Sequence, residues 1–425
     1  MSRSRLAGLF AGVIGGVIGA AITAAIVPAW AQSSAPAKSV TVRIGWQPLA
    51  GGSAAMAMVM QREQLFEKQA ARFGYKLVTD WKTMAAGPPS NEAMIAGQLD
   101  IDMHLAALPT ATRIAVGIPA VPIAVVGSNI ANAIMVRPGS PINEVADLAG
   151  KRIGLPVGTS AHYVLASVVQ AHFGKSIEEA GIRIVNMPVT EGVKVPDGID
   201  ASAVWVPLRF IGPHLGISQL LVDANGWTGR GHARPQTRLK EVEKAWAYPE
   251  GYNTDRLYAF ARTGFLADHP DVVLAFILAH MEAQQRVLSD FEGTAALANQ
   301  AWKQDDIIAK TTLQTYAETS GVRKVPFVLE WDVATILKAS EFLAATKARD
   351  RPLTWEQLKT AFTASAELQK RAWGMGPYKP SLEEMTKGFA GKTDLYGPIH
   401  INGGEPVWTW AQRPDWGQRV LAKSK

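Results

Sequence analysis

Hydrophobic positions along the chain alternate between two periods. Val40, Val42, Ile44 and Trp46 recur every second residue and predict a strand over 40–46. Met56, Val59, Met60 and Leu65 recur at helical spacing, and the predicted helix ends near Phe73-Gly74. Tyr75–Trp81 returns to a strand pattern. A β–loop–α–β opening of this kind starts a parallel, doubly wound sheet. Ligands of such sheets lie beyond the carboxyl ends of the strands, and the loop Gln47–Ser53 is the first such end.

The pattern continues through the middle of the chain. Ser90 or Asn91 caps a helix at Glu92–Ala96, and a short buried strand follows around Asp100–Asp102. A helix starts at Leu105–Pro109, and strands follow at Ile118–Val126 and Ala133–Val136. Further strands are expected at Ile182–Val185, Ile199–Trp205, Gln219–Asp223 and Tyr258–Arg262. From Pro270 the pattern is helical to about Leu368, with Val272, Val273, Phe276, Ile277 and His280 on one face and a capping box at Thr354-Trp355-Glu356-Gln357. From Trp373 no period is sustained, and Trp408, Trp410 and Trp416 are expected to cover the body of the protein.

Between these elements lies Lys151–Tyr163, read as a strand end, a turn at Gly158 and a helix start capped by Thr159 or Ser160. A helix start leaves backbone N–H groups without partners and carries partial positive charge, so it suits an anion.

The first residues set a compartment. Arg3 and Arg5 precede an uncharged apolar run of 22 residues, Leu6–Val27, and then Ala29-Trp30-Ala31. This is the pattern of a secretory signal peptide over 1–31, cleaved after Ala31, with an uncleaved anchor as the other reading. A Ser/Ala/Pro linker over 32–39 follows. The 425 residues contain no Cys, which excludes disulfides, thiolate metal sites and a Cys nucleophile. Residues 1–31 hold two Arg and no acid, so the formal charge of +6 falls to +4 without them. There is no basic run with interleaved aromatics, so nucleic acid is not an expected partner. The eight His lack ligand spacing, so no metal is expected.

About 390 residues after the leader exceed one core. The expected organisation is domain I over 40–126 plus 228–350, an inserted domain II over 127–227, and an extension over 351–425. Two crossings between the domains would form a hinge beside a cleft.

Five stretches in order carry a family resemblance: Val42–Gln47; Ala86-Gly87-Pro88 with Glu92–Asp100; Ser140-Pro141-Ile142 with Val145–Ile153; Gly158–Tyr163; and Ala203–Pro207. Together they resemble the periplasmic substrate-binding proteins of ABC importers for sulfonates, taurine and nitrate, with thiamine-precursor-binding proteins as close relatives. The resemblance implies an α/β, two-domain periplasmic-binding-protein fold of the type II kind, with two doubly wound sheets around a hinged cleft. It implies a small anionic ligand, a cognate ABC permease in the inner membrane, no cofactor, a periplasmic location and a monomer. It also implies a cleft lined by Gln47, by Gly87, Pro88 and Ser90, by Gly158, Thr159, Ser160, Ala161 and His162, and by Trp205, Trp227 and Thr228. Hydroxyls and N–H groups would take the anionic head, and Trp faces an apolar tail.

The chain departs from the family in having Val206 where an acid commonly follows the Trp, in a shortened Gly192–Gly198 segment, and in a longer tail. Loss of the acid disfavours an amino-bearing ligand such as taurine and favours a simple or aromatic sulfonate or a carboxylate. His104 joins the candidates by its position between strand and helix; for it and for His162 a packing role stays open. Trp46 is read as core, Asp100 and Asp102 as caps of the next turn, Arg209 as a weak anion partner, and Gly229–Arg234 as a solvated loop. No acid/base pair or Ser-His-Asp set stands out, which favours a binding protein over an enzyme. A desulfinase-like enzyme on the same fold and a membrane-held ligand sensor are the alternatives.

Overall fold

The computed structural model describes residues 37–128, 132–229, 237–245, 251–253, 256–317, 325–377 and 405–412. The expected leader, most of the linker, residues 230–234 of the basic loop and Trp416 lie outside the described residues. Among the described residues no helix is long and apolar enough to cross a membrane.

β1 (Lys38–Trp46) has the alternation its sequence predicts, with Val42 and Ile44 fully buried and Trp46 in the core. The chain then forms α1 (Gly52–Glu63) and α2 (Leu65–Ala71) where spacing predicts one helix. Gln64 breaks it by adopting a left-handed backbone. Leu65 and Phe66 just after it are buried, and Phe66 meets Phe276 edge-on at 5.5 Å. β2 (Tyr75–Thr83) pairs with β1 in parallel along its whole length.

α3 (Gly87–Ile95) begins earlier than expected. Pro88 and Pro89 occupy its first turn, where an absent N–H is no loss. Ser90 and Asn91 therefore do not cap it; they sit buried inside it. β3 (Ile101–Leu105), α4 (Ala107–Val116) and β4 (Ala120–Ser128) follow.

A second series then starts with β5 (Ala133–Val136), β6 (Arg152–Leu155), α5 (Ser160–Phe173) and β7 (Arg183–Asn186). It continues with α6 (Val189–Gly192), β8 (Ala201–Val204), α7 (Leu208–His214) and β9 (Gln219–Asp223). The short strands β10 (Trp227–Thr228) and β11 (Thr237–Arg238) pair as an antiparallel ribbon, and β12 (Arg256–Arg262) follows them.

The strands form two five-stranded sheets of matching design. The first has the order β2-β1-β3-β12-β4 and the second β7-β6-β8-β5-β9. In each, the first three strands are parallel and the fourth runs against both neighbours. The carboxyl ends of all six parallel strands lead into loops, and these supply the walls of the cleft described below.

Beyond β12 the chain is helical: α8 (Thr263–Asp268), α9 (Pro270–Ser289), α10 (Phe291–Trp302), α11 (Asp306–Ala317) and α12 (Glu330–Ala345). The extension adds α13 (Trp355–Thr363), α14 (Ala366–Met375) and α15 (Val407–Trp410). It is docked by polar contacts. Ser365 donates to the Pro122 carbonyl of β4, and the Val328 N–H donates to Gln369 Oε1 at 2.9 Å. Trp408 and Trp410 are buried, and Trp408 stacks on Trp373 with centroids 5.7 Å apart. Two contacts tie the helical part to the second sheet's helices. Phe342 of α12 packs against His162 and Tyr163 of α5 at 5.2 and 5.5 Å, and Asp305 pairs with His214 of α7 at 2.9 Å.

Asp100 and Asp102 do not cap a turn. Asp100 accepts from Arg43 Nε and Nη2 at 2.8 and 2.7 Å and from Arg262 Nη2 at 2.8 Å, which joins β1 to β12. Asp102 is wholly buried against Arg113 of α4. Arg209 is likewise turned inward, onto Asp223 at 3.2 Å.

His280 of α9 is buried with Nε2 3.0 Å from the Val125 carbonyl, and burial pushes its pKa from 6.5 down to about 4. The unfolded chain takes up this proton below pH 6.5, whereas the folded protein does so only near pH 4. Stability is therefore complete above pH 6.5 and falls between 6.5 and 4. At pH 5 the loss from this residue is about 2 kcal/mol. Urea midpoints at pH 7.5 and 5.0 check this. His280→Gln, which can still donate to Val125 but cannot titrate, should reduce the difference, leaving the part due to His162, whose pKa burial also lowers to about 4; an unchanged slope would exclude His280 as a source.

Candidate functional site

The cleft is built from strand ends. Gln47 follows β1, is buried, and donates from Nε2 to the Ala85 carbonyl at 2.6 Å, which ties the loop after β1 to the loop after β2. The next two carbonyls are held by indole N–H groups. Trp302 donates to Pro48 O at 2.5 Å, and Trp205, at the end of β8, donates to Leu49 O at 2.8 Å. The Trp205 bond runs from the second sheet to the first.

Two cavities that share lining residues lie between the sheets. The outer one has a volume of about 790 Å³. The first sheet's side of it is Pro48, Leu49, Met84 and Pro88; the second sheet's side is Pro156, Val157, Met187 and Val189. Thr83, Asn186 and Thr190 add polar atoms, and Glu92 stands exposed at the rim. The inner cavity is narrow, about 20 Å³, and is bounded by Gly87, His104, Thr159, Ser160 and Trp205. Gln47, Ala86 and Thr159 line both. Among the described residues no Lys or Arg lines either cavity.

The helix start of α5 supplies the positive end of a helix dipole at the junction. Gly158 turns the chain there with φ of 79°, and a Cβ on it would lie 3.3 Å from Pro88 Cγ, across the cleft. Thr159 is the residue before the helix, but its hydroxyl donates to the Pro156 carbonyl at 2.7 Å and does not cap the helix. Ser160 Oγ accepts from Asn132 at 3.1 Å.

Of the thirteen residues read from the sequence, Gln47, Gly87, Pro88, His104, Thr159, Ser160 and Trp205 line the cavities. Gly158 adjoins them. The remaining five lie elsewhere. Ser90 is buried below the floor and donates to Asp102 Oδ2 at 2.5 Å. Ala161 is fully buried. His162 turns back, accepting from the Gly158 N–H at 3.4 Å and packing on Phe342; burial lowers its pKa to about 4. Trp227 is 39% exposed in the β10–β11 ribbon, and Thr228 donates to the Leu221 carbonyl at 2.6 Å. The wall at Asn186–Thr190 was not read from the sequence, although it follows the carboxyl end of β7 and the strand-end rule points to it.

Gly87 sets the fit of α3 on α4. A Cβ at this position would come within 2.5 Å of both Cβ and Cγ of Pro109, whose ring cannot swing away. Gly87→Ala is expected to destabilise the protein by about 1–3 kcal/mol and to lift α3 away from the inner cavity. A urea titration checks the first effect; a wild-type midpoint would mean that the two helices separate freely.

The NMT1/THI5-like family model matches residues 88–292. The taurine-binding periplasmic protein of Escherichia coli (strain K12) is 25% identical over 310 residues, 72% of this chain and 79% of that protein. Among solved structures, the alkanesulfonate-binding protein SsuA from Xanthomonas axonopodis pv. citri, bound to MOPS, aligns with a TM-score of 0.59 at 20% identity, over 73% of this chain and 94% of that one. The periplasmic nitrate-binding protein NrtA from Synechocystis PCC 6803 aligns at 0.57 and 12% identity, over 79% and 88%. The desulfurization enzyme DSZB aligns at 0.50 and 13% identity, over 79% and 99%. The chain thus has the periplasmic-binding-protein fold and resembles the sulfonate-, taurine- and nitrate-binding proteins of ABC importers.

Proposed function

We propose that this chain is the extracytoplasmic solute-binding component of an ABC importer and that its cargo is a small organic anion with an apolar body. The observation that carries the reading is the pair of cavities between the two sheets. The outer walls are mainly Pro, Met, Leu and Val, and the junction with the inner cavity lies at the start of α5. Such a site suits an apolar body in the wide part and an oxyanion at the helix start. Val206 leaves no acid after Trp205, so an ammonium group finds no partner there. The ligand is delivered to a permease and is not transformed. The chain has no Cys for a thiolate mechanism, and the curated relative it matches is a binding protein.

Thermal-shift measurements with 1-butanesulfonate, benzenesulfonate, benzoate, taurine and nitrate test this. A ligand that binds only the folded state raises Tm by mass action. The first three are expected to raise Tm more than taurine or nitrate, and the ligand should be recovered unchanged. Stabilisation by taurine or nitrate alone would overturn the apolar-body reading, and release of sulfite would overturn the assignment as a binding protein.

A further inference from the structure

One residue that lines the inner cavity carries a buried polar atom without a partner among the described residues. His104 lies near the end of β3, its side chain buried, and it lines the inner cavity together with Thr159 and Ser160. Nδ1 is 2.7 Å from Asp102 Oδ1, with the N–H off the line to the oxygen. Asp102 is held in turn by Arg113 Nη2 at 2.6 Å and by Ser90 Oγ at 2.5 Å. Nε2, on the opposite edge of the ring, has no partner among the described residues. A buried ring nitrogen without a partner is costly, and such groups persist where a ligand or other function answers them.

We propose that His104 is the head-group contact of the cleft: its Nε2 donates to one oxygen of an organic anion, while Asp102 holds the ring from behind. The inference rests on the reading of the cleft as an anion site and names the side chain that does the recognition. The space is the right scale, because about 20 Å³ holds about one water-sized atom. One oxygen of a sulfonate or carboxylate enters it, and the body of the ligand stays in the outer cavity. The charges also alternate. Nδ1 carries a proton toward the Asp102 carboxylate, so an anion on Nε2 requires the ring to hold a second proton. Ligand, imidazolium, Asp102 and Arg113 then form a row of alternating charges that sums to zero. Asp102 and Arg113 are positioning residues, since they act on the ligand only through His104.

Two substitutions separate the two edges of the ring. In His104→Gln the side-chain amide reaches about as far as Nε2 and can still donate into the cavity, but it leaves Asp102. In His104→Asn the amide stays near the Nδ1 position, beside Asp102, and withdraws from the cavity. Titration calorimetry of the full-length chain with 1-butanesulfonate, which has no donor of its own, should show a loss of affinity of about tenfold or more for His104→Asn and a smaller loss for His104→Gln. Urea midpoints should show the opposite order, with His104→Gln the less stable. Equal affinity for His104→Asn and wild type would overturn the proposal, as would a loss for both variants that only follows their stability. Failure of the wild-type protein to bind butanesulfonate, benzenesulfonate or benzoate would instead overturn the anion reading of the cleft itself.

Discussion

Asp102→Ala is expected to lower the stability of the folded protein by about 3–5 kcal/mol. Arg113 has no exposed side-chain surface, and Asp102 Oδ2 receives its Nη2 at 2.6 Å. Removing the carboxylate leaves a guanidinium in the core with Asn91 Oδ1, 2.7 Å from Nε, as its remaining side-chain acceptor, and the ring of Phe260 at 4.7 Å. The double variant Asp102→Ala/Arg113→Met removes both charges and should recover part of the loss, because replacing a buried pair by apolar groups costs far less than breaking it. Urea midpoints of the two variants decide the matter; a single variant within about 1 kcal/mol of wild type would mean that water reaches Arg113. Acid should weaken the same cluster. Burial alone pushes the Asp102 carboxyl up, but the charges of His104 and Arg113, the close His104 Nδ1 and the bond from Ser90 outweigh it and hold the pKa at about 2, below the usual 3.8. The unfolded chain takes up this proton first, so the contribution is complete above pH 3.8 and is lost as pH falls toward 2, up to about 2 kcal/mol. The loss from His280 occurs at higher pH, so the two can be separated along one titration.

How much of this molecule was legible in its sequence depends on the range of the interaction. β1 was readable because Val40, Val42, Ile44 and Trp46 keep a period of two, and β5 over 133–136 because its four residues are apolar and bounded by turns. Two sheets, a cleft at strand ends and a helical remainder follow from such local patterns. The break at Gln64 was not readable, since Met60 and Leu65 lie on either side of it without interrupting the apolar spacing. Gly87-Pro88-Pro89 reads as a loop but starts α3, because two prolines fit a first helical turn. The ionic floor was invisible for another reason. Asp100 meets Arg262 across 162 positions, and Asp102 meets Arg113 only once β3 and α4 have packed. Two acids spaced two apart thus resemble turn caps until their partners are known.

The candidate site divides in the same way. The residues that reach the cavities are those at strand ends and helix starts, where the chain must turn and expose backbone. Ala161 and His162 belong to the same stretch as Thr159, but a helix rotates successive side chains by about 100°, so these two face away. His162 meets Phe342, 180 positions later, a contact with no signature in either segment. Trp227 and Thr228 were expected at the return crossing; the β10–β11 ribbon holds them outside both cavities.

Trp205→Ala is expected to lower stability by about 3–5 kcal/mol and to weaken binding of 1-butanesulfonate. The indole is buried at the boundary of the two sheets, lines the inner cavity, and donates across it to Leu49 O. Truncation removes the packing, leaves that carbonyl without its donor, and joins the inner cavity to the space the ring filled. Trp205→Phe keeps most of the apolar contact and loses the N–H, so its effect should be nearer 1 kcal/mol. Trp302→Phe should be similar, because its N–H holds the adjacent carbonyl of Pro48. The two bonds hold adjacent carbonyls of one turn, Gln47–Ala50. The double Phe variant is therefore expected to lose more affinity than the two single losses predict, since either indole alone still restrains the turn. Calorimetry on the four proteins measures this coupling. Strict additivity would show that the turn is held by Gln47 on Ala85 and does not depend on the indoles, and a Trp205→Ala protein as stable as wild type would remove Trp205 from the contact between the sheets.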